Sequence, residues 1–466
     1  MGQNFFPDTV NQTLLFPPSL HDWLPDGHLA RFLVDVVSVL DLEAIYGSYR
    51  EKDGRGQAAY APEMMVRLLL YGYATGVYSS RKIETRSYED VAFRYLAGDQ
   101  HPDHATLAEF RKRHLTALAG LFTQALLLCS KAGLVKLGHV SIDGTKIKAN
   151  ASKHKAMSYK RMTETEARLK HEIDALLHQA EQTDAAEDAR YGNNRRGDEL
   201  PDELSRRESR LQKIREAKQA LEDEAREKAE QERAETEKKL AAREEEEKRT
   251  GKKKRGRKPE PPDPDKAKPS DKAQRNFTDA ESRIMPDGGN KGSFVQAYNA
   301  QIAVDSASQV ILAAEVTQET TDNRQLLPML AQIENNLACK PEKASADAGY
   351  FSEANVTGEA VIGIDLYIAT GRDKHGDSTE TTSGDAPPGA TVREQMRYKL
   401  STEAGRAVYK MRKAIVEPVF GQIKEWRGFR RFSLRGKQNV SGEWKLVCTA
   451  SNLLKLFRSG WAPQTA

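Results

Sequence analysis

Apolar residues recur at helical spacing through the first third of the chain and at strand spacing later. After Pro62, suited to a first helical position, Met64, Met65, Leu68, Leu69 and Tyr71 mark one helix. A second, capped by Ser80, carries Ile83, Tyr88, Val91, Phe93 and Leu96 and stops at Gly98. A turn at Pro102 leads into a third with Leu107, Phe110, Leu115 and Leu118. Residues 1–137 therefore read as an all-helical unit. His139 to Asp143 alternates apolar and polar residues, which predicts a strand with Asp143 at its end and Gly144 turning the chain.

Residues 150–275 form a different kind of segment. Met162, Glu166, Leu169, Ile173, Leu176 and Ala180 step by three and four; after a break at Tyr191-Gly192-Asn193-Asn194, the seam resumes with Leu204, Leu211, Ile214, Leu221 and Ala225. That pattern predicts an antiparallel helical hairpin of coiled-coil type. Residues 201–250 hold 14 basic and 16 acidic side chains, too many for a second large core. A basic cluster, Lys252 to Lys258, and a proline-rich linker follow.

From residue 276 an α/β pattern returns. Strands are predicted at Val295–Val304, Val310–Val316, Lys343–Asp347 and Leu366–Ala369, with a helix over Leu326–Leu337 and another from Ser352. Residues 371–392 read as a polar loop, 393–427 as a helix containing Pro418, and 436–458 as a closing amphipathic helix. With the insert set aside, the order is strand, strand, strand, helix, strand, helix, strand, helix. This is the ribonuclease-H-like order, an α/β mixed sheet with helices on its faces. The units are then 1–137, a helical N-terminal domain; 138–149 with 276–435, the sheet domain; 150–275, the insert; and 436–466, a C-terminal helix and tail.

Composition narrows the classes. The chain has 466 residues and a net charge of only +4, which does not by itself require nucleic acid. Cys129, Cys339 and Cys448 lie far apart, so neither a disulfide framework nor a zinc ribbon is expected. No apolar run is long enough to cross a membrane, and no signal peptide is expected. A reduced, cytoplasmic protein fits. Arg111, Lys112, Arg113 and His114 form a basic run compatible either with helix-turn-helix DNA contact or with a solvated face of a bundle.

Three carboxylates stand in suggestive places. Asp143 ends the first strand, Asp347 ends the fourth, and Glu417 lies on the late helix. Strand ends of open α/β sheets collect ligands, and hard divalent ions prefer such oxygen donors. Each residue alone also fits a turn, a cap or an exposed helix position. Two further segments combine basic residues with other recognition features. Trp426, Arg427, Phe429, Arg430, Arg431 and Phe432 suit either a phosphate-and-stacking surface or partial burial. Arg255-Gly256-Arg257 resembles the core of an AT-hook, which enters narrow minor grooves, and equally suits a solvated tail.

Ser141-Ile142-Asp143-Gly144-Thr145-Lys146, Gln296 to Gln301, Asp347-Ala348-Gly349-Tyr350-Phe351-Ser352 and Val416-Glu417 through Lys424 resemble the DDE transposases of bacterial insertion sequences. The resemblance is to the IS-eleven-eighty-two group, related to the IS-four and IS-five types. Tyr60 to Gly98, Pro102 to Leu107 and Asn276 to Asp279 resemble other parts of the same group. The resemblance implies a DNA transposase in which Asp143, Asp347 and Glu417 bind two Mg²⁺ ions, with Mn²⁺ as a substitute. Asp143 would bridge both ions, and Asp347 and Glu417 would complete one each. It also implies contact with double-stranded DNA, namely the terminal inverted repeats of an element and a target. A homodimer assembled on that DNA and association with the nucleoid are expected. The expected DNA-contacting residues are Lys424, Tyr409, Arg412, Arg372, Lys146, Arg255 and Arg257. Four residues separate Arg412 from Glu417 where the related motif has three, which turns Arg412 off the Glu417 face at ~100° per residue. The rival readings are a ribonuclease-H-like nuclease or resolvase, and a non-catalytic DNA-binding derivative of a transposase.

Overall fold

The computed structural model describes residues 19–50, 58–191, 202–250, 256, 258–288, 290, 292–371 and 386–463. The N-terminal part is helical: α1 (Leu29–Ser38), α2 (Glu43–Arg50), α3 (Pro62–Thr75), α4 (Ser80–Glu89), α5 (Val91–Ala97), α6 (His104–Arg113) and α7 (Leu115–Lys131). Pro62 opens α3, as expected, and Gly76 ends it with φ 83°. The stretch read as one helix from Ser80 to Gly98 is two. Asp90 interrupts it and accepts the N–H groups of Ala92 and Phe93, so a capped start to α5 replaces helix continuity. The cap position of α4 falls on Ser79, one residue before the serine expected there.

After β1 (His139–Lys148) come β2 (Ala156–Ser158), α8 (Tyr159–Tyr191), α9 (Asp202–Thr250), β3 (Gln274–Asn276), β4 (Arg283–Pro286), β5 (Phe294–Asp305) and β6 (Ile311–Thr317). Then follow α10 (Leu326–Leu337), β7 (Lys343–Ala346), α11 (Glu353–Thr357), β8 (Asp365–Ile368), α12 (Val392–Ser401), α13 (Glu403–Gly421) and α14 (Lys437–Arg458). The main sheet is mixed. Its order is β5, β1, β7, β8, with β4 and β6 both on the free edge of β5. Antiparallel pairing joins β5 to β1, β4 and β6, while β1, β7 and β8 run parallel.

One expectation fails at β1. The strand does not turn at Gly144 but continues to Lys148, because β5 pairs with it as far as Lys148 opposite Ala297. Gly144 has another use. A Cβ there would lie 2.2 Å from Gln301 Nε2 and 2.9 Å from both Asn299 Oδ1 and Asp322 Oδ1. The glycine leaves room for polar side chains, with the strand intact.

The helical N-terminal part and the sheet share one hydrophobic core, and α14 runs through it. Trp444 is fully buried and donates its indole N–H to the Gln301 carbonyl at 3.1 Å. Glu443, also fully buried, accepts from Tyr73 Oη at 3.1 Å and from the Ser433 and Leu434 N–H groups at 2.9 and 3.1 Å. Gly442 brings α14 against α7 so closely that a Cβ would sit 2.7 Å from Leu115 Cγ.

The insert has its own small core of Met162, Leu169, Ile173, Leu211, Ile214, Ala217 and Leu221. Tyr159 donates to Glu222 at 2.7 Å, Glu166 meets Lys218 at 3.0 Å and Arg215 at 3.3 Å, and Glu172 meets Arg207 at 3.4 Å. Advancing along α8 retreats along α9, so the hairpin is antiparallel. The β2–β3 pair closes its base. Glu224 ties it down by accepting from Arg275 at 2.6 Å and from Arg283 of β4 at 2.9 Å.

Candidate active site

Strand register brings the two aspartates together. Ile142 of β1 stands beside Ala346 of β7 in a parallel pair. Asp143 and Asp347 are therefore the next residues on neighbouring strands about 4.8 Å apart. At this point β7 ends and β1 runs on, which opens a notch beside β1. Asp347 leaves the sheet and caps the single turn Ala348–Tyr350, accepting the Gly349 N–H at 2.8 Å. Asp143 accepts the Gly144 N–H at 2.8 Å and faces Arg412 Nη1 at 3.3 Å through its other oxygen. Burial pushes the Asp143 carboxyl up to about 6; Arg412 and the Gly144 N–H pull it down, and the charges of Asp347 and Asp322 push it up.

The other face of β1 carries a polar network that joins Lys146 and two residues of the Gln296–Gln301 motif to Asp322, a residue the sequence analysis did not single out. Asp322, in the loop between β6 and α10, accepts from Asn299 Nδ2 at 2.6 Å and Gln301 Nε2 at 2.8 Å. It also meets Lys146 Nζ at 3.5 Å. Gln301 accepts in turn from the buried Tyr350 hydroxyl, which joins the network to the Asp347 turn. Burial and the charges of Asp322, Asp143 and Asp347 hold that phenol well above its usual range. Burial lowers Lys146, and Asp322 partly restores it. Asn299 and Gln301 were the available signal: amides inside a strand of mostly buried residues need partners.

Helix α13 crosses the Asp143 face of β1. Arg412 is buried there and paired with Asp143, and its Nε has no partner among the described residues. It points inward rather than to open solvent, because Ile415, Val416 and Val419 bury the same side of the helix. Pro418 lies within α13, which continues to Gly421 before a π-helical turn, Gln422–Trp426. Lys424, on that turn, donates to Thr145 Oγ1 at 2.9 Å. Burial lowers its ammonium, and Glu425 raises it. Glu417 is exposed between Arg412 and Lys424 along this path. Tyr409 is half-buried, its ring 5.7 Å from the Arg412 guanidinium. Among the described residues, no three His, Cys, Asp or Glu side chains converge as a ready-made metal cluster. The aspartates form a pair, and Glu417 stands outside it.

The remaining candidates divide. Arg111 and His114 are buried, so the basic run is not one continuous DNA-facing surface. Arg111 donates to Tyr73 Oη at 3.3 Å and to the Tyr78 carbonyl at 3.1 Å. Phe429 and Phe432 belong to the core, Arg427 is buried, and Trp426 is exposed. Arg255, Arg257 and Arg372 lie outside the described residues.

Two family models match the chain. Residues 18–113, the helical N-terminal part, match a transposase domain, DUF772, and residues 233–453 match the transposase DDE domain. The matches support a DNA transposase of the insertion-sequence DDE kind. The transposase DDE match takes in Asp347 and Glu417 and begins after Asp143, which strand pairing places beside Asp347. No curated protein and no solved structure matches. Transposase domains imply DNA as a partner, and no described helix is long and apolar enough to cross a membrane.

Proposed function

We propose that the chain is a transposase that cleaves the ends of an insertion element and joins the freed 3′-OH to target DNA. It would use a ribonuclease-H-like catalytic sheet and belong to the IS-eleven-eighty-two group. The reading rests above all on Asp143 and Asp347, side by side where β7 ends and β1 continues. The strand order, with β5 antiparallel to β1 and β7 and β8 parallel to it, supports the fold assignment.

The donor set fits hard divalent ions, since carboxylate oxygens at a notch open to water match what Mg²⁺ prefers. Asp143, Asp347 and Glu417 would hold them, with Glu417 turning inward from its exposed position. When bound, two such ions activate the attacking oxygen and stabilise charge at the scissile phosphate. The protein's own groups do the rest. Arg412 neutralises Asp143 while the notch is free of cations. Lys424 and Lys146, on opposite faces of β1, supply positive charge to orient the DNA backbone, and affinity comes mainly from such phosphate contacts.

The test is cleavage of DNA carrying the terminal inverted repeats of the element, with Mg²⁺. Asp143→Ala, Asp347→Ala and Glu417→Ala should each abolish strand cleavage while leaving end binding within a few-fold of wild type. Nicking by any one of them at the wild-type rate would remove that residue from the site. Cleavage indifferent to the repeats would favour a plain nuclease.

A further inference from the structure

We infer that Asp322 is a positioning residue of this centre, whose negative charge strengthens cation binding at Asp143 and Asp347. The inference rests on the transposase reading and adds a carboxylate to it.

Three observations carry it. First, Asp322 is tightly held. Its Oδ1 takes the amides of Asn299 and Gln301 at 2.6 and 2.8 Å and faces Lys146 at 3.5 Å. Among the described residues, no donor is assigned to its Oδ2, which lies 3.6 Å from the Cβ position of Gly349. Second, two neighbouring glycines, Gly144 in β1 and Gly349 in the Asp347 turn, serve this placement. A side chain at Gly144 would strike Asp322 at 2.9 Å, and one at Gly349 would stand between Asp322 and the Asp347 carboxylate, 3.0 Å from Asp347 Oδ1. Third, the loop bearing Asp322 is bolted to the turn bearing Asp347. Asn355 donates to the carbonyls of Asn323 and Tyr350, both at 2.6 Å. Tyr350 and Asp322 also share Gln301.

One oxygen anchors the side chain, and the other lies without a protein donor among the described residues, close to the Gly349 turn that Asp347 caps. Lys146 is the opposing element: it partly cancels that charge until phosphate draws it away. Carboxylates that support metal ligands from behind commonly change metal affinity by 10–100-fold when removed.

Two variants of the full-length protein test this, with Mn²⁺ binding measured by calorimetry without DNA. Asp322→Asn keeps the shape and the acceptor oxygen but loses the charge. Its Mn²⁺ affinity should fall about 10–100-fold, and its cleavage should need correspondingly more metal. Lys146→Met removes the opposing cation and should tighten Mn²⁺ binding several-fold. A role in packing alone predicts no such opposite shifts. If wild type binds Mn²⁺ and both variants bind it equally well, Asp322 loses its role and the transposase reading stands. If Asp322→Asn fails to fold, Lys146→Met decides: unchanged affinity overturns the assignment. If wild type takes up no Mn²⁺, both readings fall.

Discussion

Asp143 carries an unusual electrostatic load for a residue on a central strand. Its carboxyl takes up a proton near pH 6 in the folded chain, against an ordinary value of about 3.9. Burial is the main cause. Below about pH 4 the group is protonated both folded and unfolded, and its contribution to stability is complete. As pH rises through about 6, the unfolded chain has already lost the proton and the folded chain must bury the charge, so the contribution is lost. The metal-free protein should therefore lose thermal stability over this window relative to Asp143→Asn, with the gap flat above about pH 7. Melting curves of the two proteins without metal would show it; a gap independent of pH would contradict the burial argument. Divalent cation at neutral pH should narrow the gap for wild type alone.

At the level of elements, the sequence was most readable where period and breakers agreed. The alternation from Val295 to Val304 and the run before Gly349 gave strands in their observed places, and with them Asp347. It misled where one residue type serves two purposes. Gly144 reads as a turn and is a gap for neighbouring amides, and Arg111 reads as a surface cation and is buried against Tyr73. Asp322 was illegible because its partners lie on β5, about twenty residues upstream, and only the sheet brings them together. The join between α14 and α7 offers a test of element packing. Gly442→Leu would force at least one added side chain into the space held by Leu115, and overpacking of this kind costs about 1–3 kcal/mol or more. A lowered melting temperature is expected, with recovery on adding Leu115→Ala. Without that recovery, the close approach would not be the cause.

Across the whole molecule, the two separate cores define what is dispensable. Replacing residues 159–273 with a short Gly/Ser linker between β2 and β3 should leave a cooperatively unfolding protein with an intact main sheet. The cost falls on the ion pairs of Glu224 with Arg275 and Arg283, and partly exposed pairs contribute about 0–1 kcal/mol each. Loss of a cooperative melting transition would mean that the insert belongs to the main core.

The β2–β3 ribbon also bears on how the chain reaches its folded state. Asp143 and Asp347 are separated by 204 residues of sequence, a long loop to close. A local hairpin can form from α8 and α9 before the sheet does, and its ribbon sets Ala156 opposite Asn276. The search that pairs β1 with β5 then spans a few tens of residues instead of more than a hundred. Because closure entropy grows as (3/2)RT ln n, this shortcut lowers the ordering cost by about 1–2 kcal/mol. Formed first, the charged insert would act as a splint, holding the first aspartate's strand near the place where its partners arrive.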